Sequence, residues 1–369
     1  MGLYLDNAAT TPLLPEVKDF ILKNLDVFGN PNSDHSVGDK AYEVVRNATK
    51  KVASLINCDA EDIIFTCGGS ASNTLAIRGF CDATKDSKIL YSPICHKSII
   101  EAAKHMPHSE PLGVDSTGKI DICDLTTSLK INSSYYNILI VVDFGNSEIG
   151  TIQDIRLISE IVHRYGGLIY VDCTGSIPYI PLDVQKMDVD MAGFSAHKLG
   201  ALKGCGVLYK KKAIELSPLI FGARGVFSGT ENVLGIGALG VAAELQQKYY
   251  GKIDCEKRRI IYEGAKKYIP DCYLVGHSDD RLPYNVNICF PGVNAGDVVH
   301  LLDDWYKIQC STGSACNSQS SLPSPTLAAI NEKNPLSCVR FSLSGREQDK
   351  ELRNAVLKIV AVVEALKDE

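Results

Sequence analysis

From about residue 60 to residue 210, short apolar runs alternate with stretches whose apolar residues recur at helical spacing. The runs Asp62–Thr66 (DIIFT), Lys88–Tyr91 (KILY), Ile138–Val142 (ILIVV), Leu168–Val171 (LIYV), Met191–Phe194 (MAGF) and Gly206–Tyr209 (GVLY) predict strands. Asp154–Tyr165 (DIRLISEIVHRY) predicts an amphipathic helix between two of them. Strands that are apolar at nearly every position are covered on both faces. A mostly parallel sheet with helices on either side is therefore expected, the doubly wound α/β class. Past about residue 250 the texture changes. A charged helix over Asp254–Tyr268, strands near Tyr273–Val275 and Asn285–Phe290, a helix near Gly296–Trp305 and a last helix from Gln348 to Lys367 predict a smaller α+β unit.

Composition narrows the function classes. The chain has 369 residues, 45% hydrophobic and 22% charged, as in an ordinary globular protein of about two domains. A net charge of −6 argues against a direct nucleic-acid binder or a protein of anionic membrane surfaces. No apolar run approaches the length of a membrane span, and MGLYLDNAATTP has neither the basic nor the apolar region of a secretory signal. The expected location is the cytoplasm. The thirteen cysteines include no C-x-x-C pair, which excludes zinc ribbons and thioredoxin-like sites, and no metal site is expected. Most of them, such as Cys67, Cys205 and Cys289 in apolar runs, read as small hydrophobes kept reduced.

Six stretches carry candidate chemistry. Gly235-Ile-Gly-Ala-Leu-Gly240 matches a dinucleotide fingerprint, but GTENVLG before it is no strand, so the glycines read as a close helix contact. Cys67–Thr74 (CGGSASNT) follows a strand and opens a helix, which suits either an anion site or a well-capped helix start. The strand Leu168–Val171 closes on Asp172, and Met191–Phe194 closes on Ser195-Ala-His197-Lys198. Ligands bind at such C-terminal strand edges. A desolvated lysine there can bond a carbonyl carbon, and an acid upstream can hold a pyridine nitrogen protonated, the arrangement of pyridoxal phosphate enzymes. His96, in PICHKS after another strand, suits either ring stacking and proton transfer or a solvent-facing helix start. Near the C-terminal end, small residues surround Cys310 and Cys316 in CSTGSACNSQSS, a composition that neither helix nor strand favours.

Taken in order, these motifs resemble the cysteine desulfurases (NifS/IscS-like) of the class V aminotransferase family, pyridoxal phosphate enzymes of fold type I. The resemblance runs through LDNAATTP (5–12), GNPNSDHSVG (29–38), HKS (96–98), NSEIGTIQDI (146–155), VDCTGS (171–176), SAHKLGALKGCGVLY (195–209), SGTENV (228–233), STGSACNS (311–318) and RFSL (340–343). It implies a large cofactor domain over 14–250, and a small domain of 1–13 with 251–369 that carries the cysteine loop. By matching motif, Lys198 would hold the cofactor and move the Cα proton, Asp172 would pair with the ring nitrogen, and His96 would stack on the ring. Gly69, Ser70, Ser195 and His197 would surround the phosphate, with Thr230 reaching the partner subunit's phosphate in a homodimer. Arg340 would take the carboxylate of the substrate, L-cysteine. Cys316 would be the nucleophile that receives sulfur as a persulfide. Its loop, with Pro323 and Pro325 after it, resembles the long loops that hand persulfide directly to an acceptor protein, such as an iron–sulfur scaffold or a tRNA-thiolation protein. Cys310, at the end of WYKIQC, reads as strand packing.

Four positions depart from the family pattern. Ser147 stands for an asparagine near cofactor and substrate, Gly175 for a glutamine at the cofactor's phenolic oxygen, Phe227 for an arginine, and Ala71 for an acid. Three outcomes stay open at this point: a specialised desulfurase, a pocket turned to selenocysteine or cysteine sulfinate, or a binding-only relative in sulfur transfer. Intact Lys198, Asp172, His96, Cys316 and Arg340 argue against the last.

Overall fold

A computed structural model of the chain describes residues 2–135, 137–222, 225–250, 254–313 and 323–368. Twelve strands are present among them: β1 (Leu3–Tyr4), β2 (Ile63–Thr66), β3 (Ser87–Tyr91), β4 (Ser109–Pro111), β5 (Asn137–Asp143), β6 (Leu168–Asp172), β7 (Met191–Ser195), β8 (Gly206–Lys210), β9 (Tyr273–Leu274), β10 (Asn285–Cys289), β11 (Ile308–Gln309) and β12 (Cys338–Ser342). Seven form one sheet in the order β2-β8-β7-β6-β5-β3-β4. Only β8 runs against its neighbours, so the sheet is mostly parallel as expected. All six expected strands are found. The edge strand β4 escaped the reading because it is three residues long, SEP, with no apolar signal.

Alternation along each strand divides the core between the two faces of the sheet. Ile138, Ile140 and Val142 of β5 join one cluster, with helices Ser36–Ile56 and Ile155–Arg164 packed on it. Leu139 and Val141 join the opposite cluster, under helices Gly69–Ala83 and Lys97–Lys104. The GIGALG stretch lies inside helix Val233–Tyr249. A Cβ on Gly237 would lie 2.5 Å from Phe20, and one on Gly240 would lie 2.6 Å from the backbone of Ala48. The glycines therefore bring this helix against Pro15–Lys23 and Ser36–Ile56, the packing role read from sequence.

A second core belongs to the last third of the chain. The antiparallel sheet β12-β10-β9 is covered by helices Glu256–Tyr268, Ala295–Tyr306 and Asp349–Lys367. Leu5 joins that core, and β1 pairs with β11, so the first residues lie with the last third. Residues 6–11 then cross back as a strap. Asn7 and Ala8 bond Ser342 at the end of β12, while Thr11 Oγ1 donates to the His197 carbonyl at 2.7 Å.

Candidate active site

The C-terminal ends of β5, β6 and β7 open into a cavity of about 300 Å³, walled on its other side by the strap and by Arg340 of β12. Register places Asp143 beside Asp172, and Asp172 beside Gly193 of β7. Asp172 is 4% exposed. Its Oδ2 accepts from Asn73 Nδ2 at 3.0 Å and its Oδ1 from the Thr174 N–H at 2.8 Å. Tyr170 donates to Asn73 Oδ1, which fixes the amide so that its NH2 faces the carboxylate. The same NH2 donates to Ser98 Oγ at 2.9 Å, and Ser98 Oγ lies 2.8 Å from His96 Nδ1. Asp172 and His96 are thus joined through Asn73 and Ser98. Because His96 Nδ1 also accepts from the Ser98 N–H, the neutral ring carries its proton on Nε2. Burial lowers the His96 pKa, assisted by the charge of Lys198 and opposed by Asp172.

Beside this network lies a cradle of unused donors. Helix Gly69–Ala83 starts at Gly68 with no side-chain cap, leaving its first N–H groups for a ligand. The buried hydroxyls of Thr174 and Ser195 have no partner. A Cβ on Gly69 would sit 3.0 Å from Thr174 Oγ1 and 3.5 Å from Ser195 Oγ, so both hydroxyls face the start of the helix. Buried hydroxyls without partners are rare, and a helix N-terminus favours negative charge. The group that fits is a phosphate, which anchors pyridoxal phosphate. Gly69, Ser70, Ser195 and His197 all line the same cavity. The sequence does not single out Thr174, because nothing in VDCTGS shows that its hydroxyl turns toward the start of helix Gly69–Ala83.

Lys198 sits in the short turn Ala196–Leu199 after β7 and lines the cavity with Asp172 and His96. The strap holds this turn through Thr11 and through Thr10 Oγ1, 3.0 Å from His197 Nδ1. Burial, with Lys198 and Lys203 nearby, pushes the His197 pKa down to about 4, so the ring is neutral at physiological pH. Burial pushes the Asp143 carboxyl up to about 7, further raised by Asp172, with hydrogen bonds from Asn146 and Cys95 opposing.

The opposite wall turns on Arg340, which is 3% exposed. One terminal nitrogen pairs with Asp6 at 2.7 Å and the other donates to the Ser147 carbonyl at 3.3 Å, while the buried Nε has no partner. Asn146 shapes the preceding turn, its Oδ1 accepting from the N–H groups of Glu148 and Ile149 at 2.9 Å each. Ser147 and Gly175, two of the departures, touch: a Cβ on Gly175 would lie 3.1 Å from Ser147 Cβ and 2.6 Å from the Gly145 carbonyl. A glutamine cannot enter at 175 unless this backbone shifts.

Cys316 lies outside the described residues, but both flanks of its segment are described and both meet Glu148. Ser324 Oγ donates to Glu148 Oε1 at 2.5 Å, and a Cβ on Gly313 would lie 2.5 Å from the same oxygen. Burial raises the Glu148 carboxyl pKa, against the Ser324 hydrogen bond and the Arg340 charge. Cys310 is buried in the small unit's core, as packing requires. Among cysteines read as packed hydrophobes, Cys205 and Cys289 are buried but Cys67 is exposed, because it stands in the turn past β2. Thr230 is exposed and does not line this cavity.

Comparison with known proteins agrees with this geometry. Residues 3–354 match the family described as Aminotransferase class-V. The chain is 38% identical over 343 residues to cysteine desulfurase IscS 1 of Archaeoglobus fulgidus, covering 89% of this chain and 88% of that one. It is 36% identical over an alignment of 385 residues to cysteine desulfurase IscS of Dictyoglomus turgidum, covering 99% and 95%. Among solved structures, a NifS-like protein from Rickettsia africae matches with TM-score 0.88 and 27% identity over 100% of both chains. SspA in complex with cysteine matches with TM-score 0.77 and 27% identity over 94% of this chain and 100% of that one. The fold is fold type I of the pyridoxal phosphate-dependent transferases, and the chain belongs to the class-V aminotransferase family, among its cysteine desulfurases.

Proposed function

We propose that this protein is a pyridoxal phosphate-dependent cysteine desulfurase that converts L-cysteine to L-alanine and leaves a persulfide on Cys316. One observation carries the reading. A single cavity gathers Lys198, an Asp172 carboxylate fixed by Asn73, two unclaimed hydroxyls at a free helix start, and an arginine with an unpartnered Nε. When bound, the cofactor supplies an electron sink for the bonds broken at the substrate. Ser195, Thr174 and the N–H groups of helix Gly69–Ala83 hold its phosphate, with Ser70 and His197 beside them. Asp172 accepts the ring nitrogen's proton bond, and Asn73 keeps that carboxylate aimed. His96, proton on Nε2, presents its ring face and a donor. Lys198 holds the cofactor and moves the substrate's Cα proton. Arg340 binds the substrate carboxylate, and Ser147 borders that site.

The Cys316 thiolate bonds to the substrate sulfur as the carbon–sulfur bond breaks, and the substrate carbon takes a proton. Cysteine and a thiol thereby become alanine and a persulfide, with no outside oxidant. Glu148 supports this step by bonding Ser324 on one flank of the segment that carries Cys316 and packing against Gly313 on the other. We further read the chain as a cytoplasmic homodimer with Thr230 serving the partner's site. Exposed apolar side chains support an interface, with Leu22 61%, Phe28 84% and Phe221 85% exposed. The core of the last third, which Leu5 joins and which is distinct from the clusters on the two faces of the large sheet, supports the division into 14–250 and 1–13 with 251–369. The acceptor is a protein such as an iron–sulfur scaffold or a tRNA-thiolation protein, the former in keeping with the IscS names of its relatives. Among the described residues, no helix is long and apolar enough to cross a membrane.

The test is an alanine and sulfide assay with L-cysteine. Wild type should be yellow and active, and borohydride should fix the cofactor to Lys198. Lys198→Ala should lose at least a thousandfold in rate, and Cys316→Ser should keep the colour but form no persulfide. A colourless protein that takes up no cofactor, or a Cys316→Ser variant with full activity, overturns the reading.

A further inference from the structure

Two of the buried cysteines face each other away from the cavity. Cys289 of β10 pairs directly with Cys338 of β12 in antiparallel register. The neighbouring pair, Phe290 and Ser337, is hydrogen-bonded through the Phe290 N–H at 2.9 Å. Cys289 and Cys338 are therefore a non-hydrogen-bonded pair, the kind whose side chains approach most closely. Both are buried, at 0% and 1% exposure. Their thiols point at one atom, the Asn334 carbonyl oxygen, at 3.7 Å from Cys289 and 3.4 Å from Cys338.

The turn that supplies this oxygen also supplies a carboxylate. Glu332 Oε1 accepts from the Asn334 N–H at 3.0 Å and from Tyr273 OH, and Asn334 Nδ2 donates to that same hydroxyl at 3.1 Å. Both bonds reach Oε1 and orient the carboxylate. Ligand atoms of Cys289, Cys338 and Glu332 all lie within 4.8 Å of one another. The edge of a tetrahedral zinc–thiolate site is about 3.8 Å, so a small inward rotation of these side chains closes the set. Glu332 is half-buried and gives an entry from solvent, while Leu327, Ile330, Ile94 and Ile149 wall the inner side with apolar surface.

We propose that Cys289, Cys338 and Glu332 form a binding site for one thiophilic divalent cation of the zinc class, with the Asn334 carbonyl or a water as fourth ligand. Two thiolates exclude calcium and magnesium, which take oxygen ligands. On binding, each thiol releases its proton to solvent as its sulfur bonds the metal, and no electrons move. The ion fastens the Glu332–Asn334 turn to β12, the strand that carries Arg340. It also secures the chain just after helix Pro325–Ala329, which lines the active-site cavity at Pro325 and Thr326. The sequence does not show this site, because its cysteines are 49 residues apart and join only through strand pairing.

The experiment titrates the reduced holoenzyme with cobalt(II), whose tetrahedral thiolate absorption lies to the red of the cofactor band. One equivalent should saturate the band, zinc should displace it, and Cys316→Ser should keep it. Cys289→Ser and Cys338→Ser should each abolish it, and Glu332→Gln should weaken binding by roughly tenfold or more. Should the cysteine variants not fold, Glu332→Gln decides alone, and unchanged affinity there overturns the proposal. It is also overturned by the absence of a cobalt band, by a band that survives in either cysteine variant, or by thiol counting that finds a Cys289–Cys338 disulfide in the freshly purified protein.

Discussion

The two walls of the cavity are built differently. On the sheet side, each polar group is tied to another on an adjoining element of the same layered domain. Tyr170 holds Asn73, Asn73 holds Asp172 and Ser98, and Ser98 meets His96, a network on adjoining elements that runs from the core out to the cavity. On the far side, the ties span the chain: Asp6 to Arg340, and Glu148 to Ser324. The sheet side is a consequence of strand register. The far side exists only when the last third of the chain has docked with the strap across it. Rigidity therefore belongs to the wall that would hold the cofactor, and adjustability to the wall that would admit the substrate and carry the thiol.

If the two walls differ in this way, three variants should respond differently. Asn73→Ala strands the Tyr170 hydroxyl and one oxygen of Asp172 in the core. A loss of about 2–4 kcal/mol in urea unfolding is expected, with a shifted cofactor absorption. Unchanged stability and spectrum would dissolve the idea of a rigid wall.

Titration of the same wall gives the second. Asp143 has a folded pKa near 7, above the ordinary carboxylate range, so between about pH 4 and 7 the native state binds a proton that the unfolded chain does not. Its contribution to stability is complete at low pH and lost as pH rises through 7. His197, lowered to about 4, behaves oppositely: the unfolded chain binds the extra proton between pH 4 and 6.5, and stability is lost as pH falls through that window. The two slopes oppose each other in wild type. Asp143→Asn removes only the first, so the variant should gain on wild type by up to about 2 kcal/mol as pH is raised from 5 to 7, read by denaturant midpoints at each pH. A gap that stays constant would mean that Asp143 titrates as an ordinary carboxylate.

The third concerns the far wall. Glu148→Ala releases Ser324 and the contact under Gly313, and should slow persulfide formation by about tenfold while leaving the cofactor spectrum unchanged. An altered spectrum with normal persulfide formation would place Glu148 on the rigid side instead.

The same division explains what the sequence made legible. Asp172 and Ser195 could be found because each ends an apolar strand, and Lys198 because it stands in the turn just past one, where the change from apolar to polar residues marks the sheet edge. Cys316 and Arg340 emerged only through motif resemblance, since nothing local distinguishes them from a loop thiol or a strand cation. Asn73, Ser98, Tyr170, Thr174 and Glu148 stayed hidden for a different reason. Each works through a partner between 25 and 176 residues away, or through a hydroxyl direction that no periodicity encodes. Strands β1 and β11, two residues each, are too short to show a period of two and exist because they pair with each other.

The strap over residues 6–11 has a consequence for the order of assembly. Its partners at His197 and Ser342 lie 186 and 334–335 residues further along. During synthesis the sheet, with the phosphate cradle on its edge, can form while the strap still waits for a strand not yet made. Residues 6–11, made well before β7 and β12, are among the last to find their place, and the reaction chamber is completed only when β12 emerges to receive them.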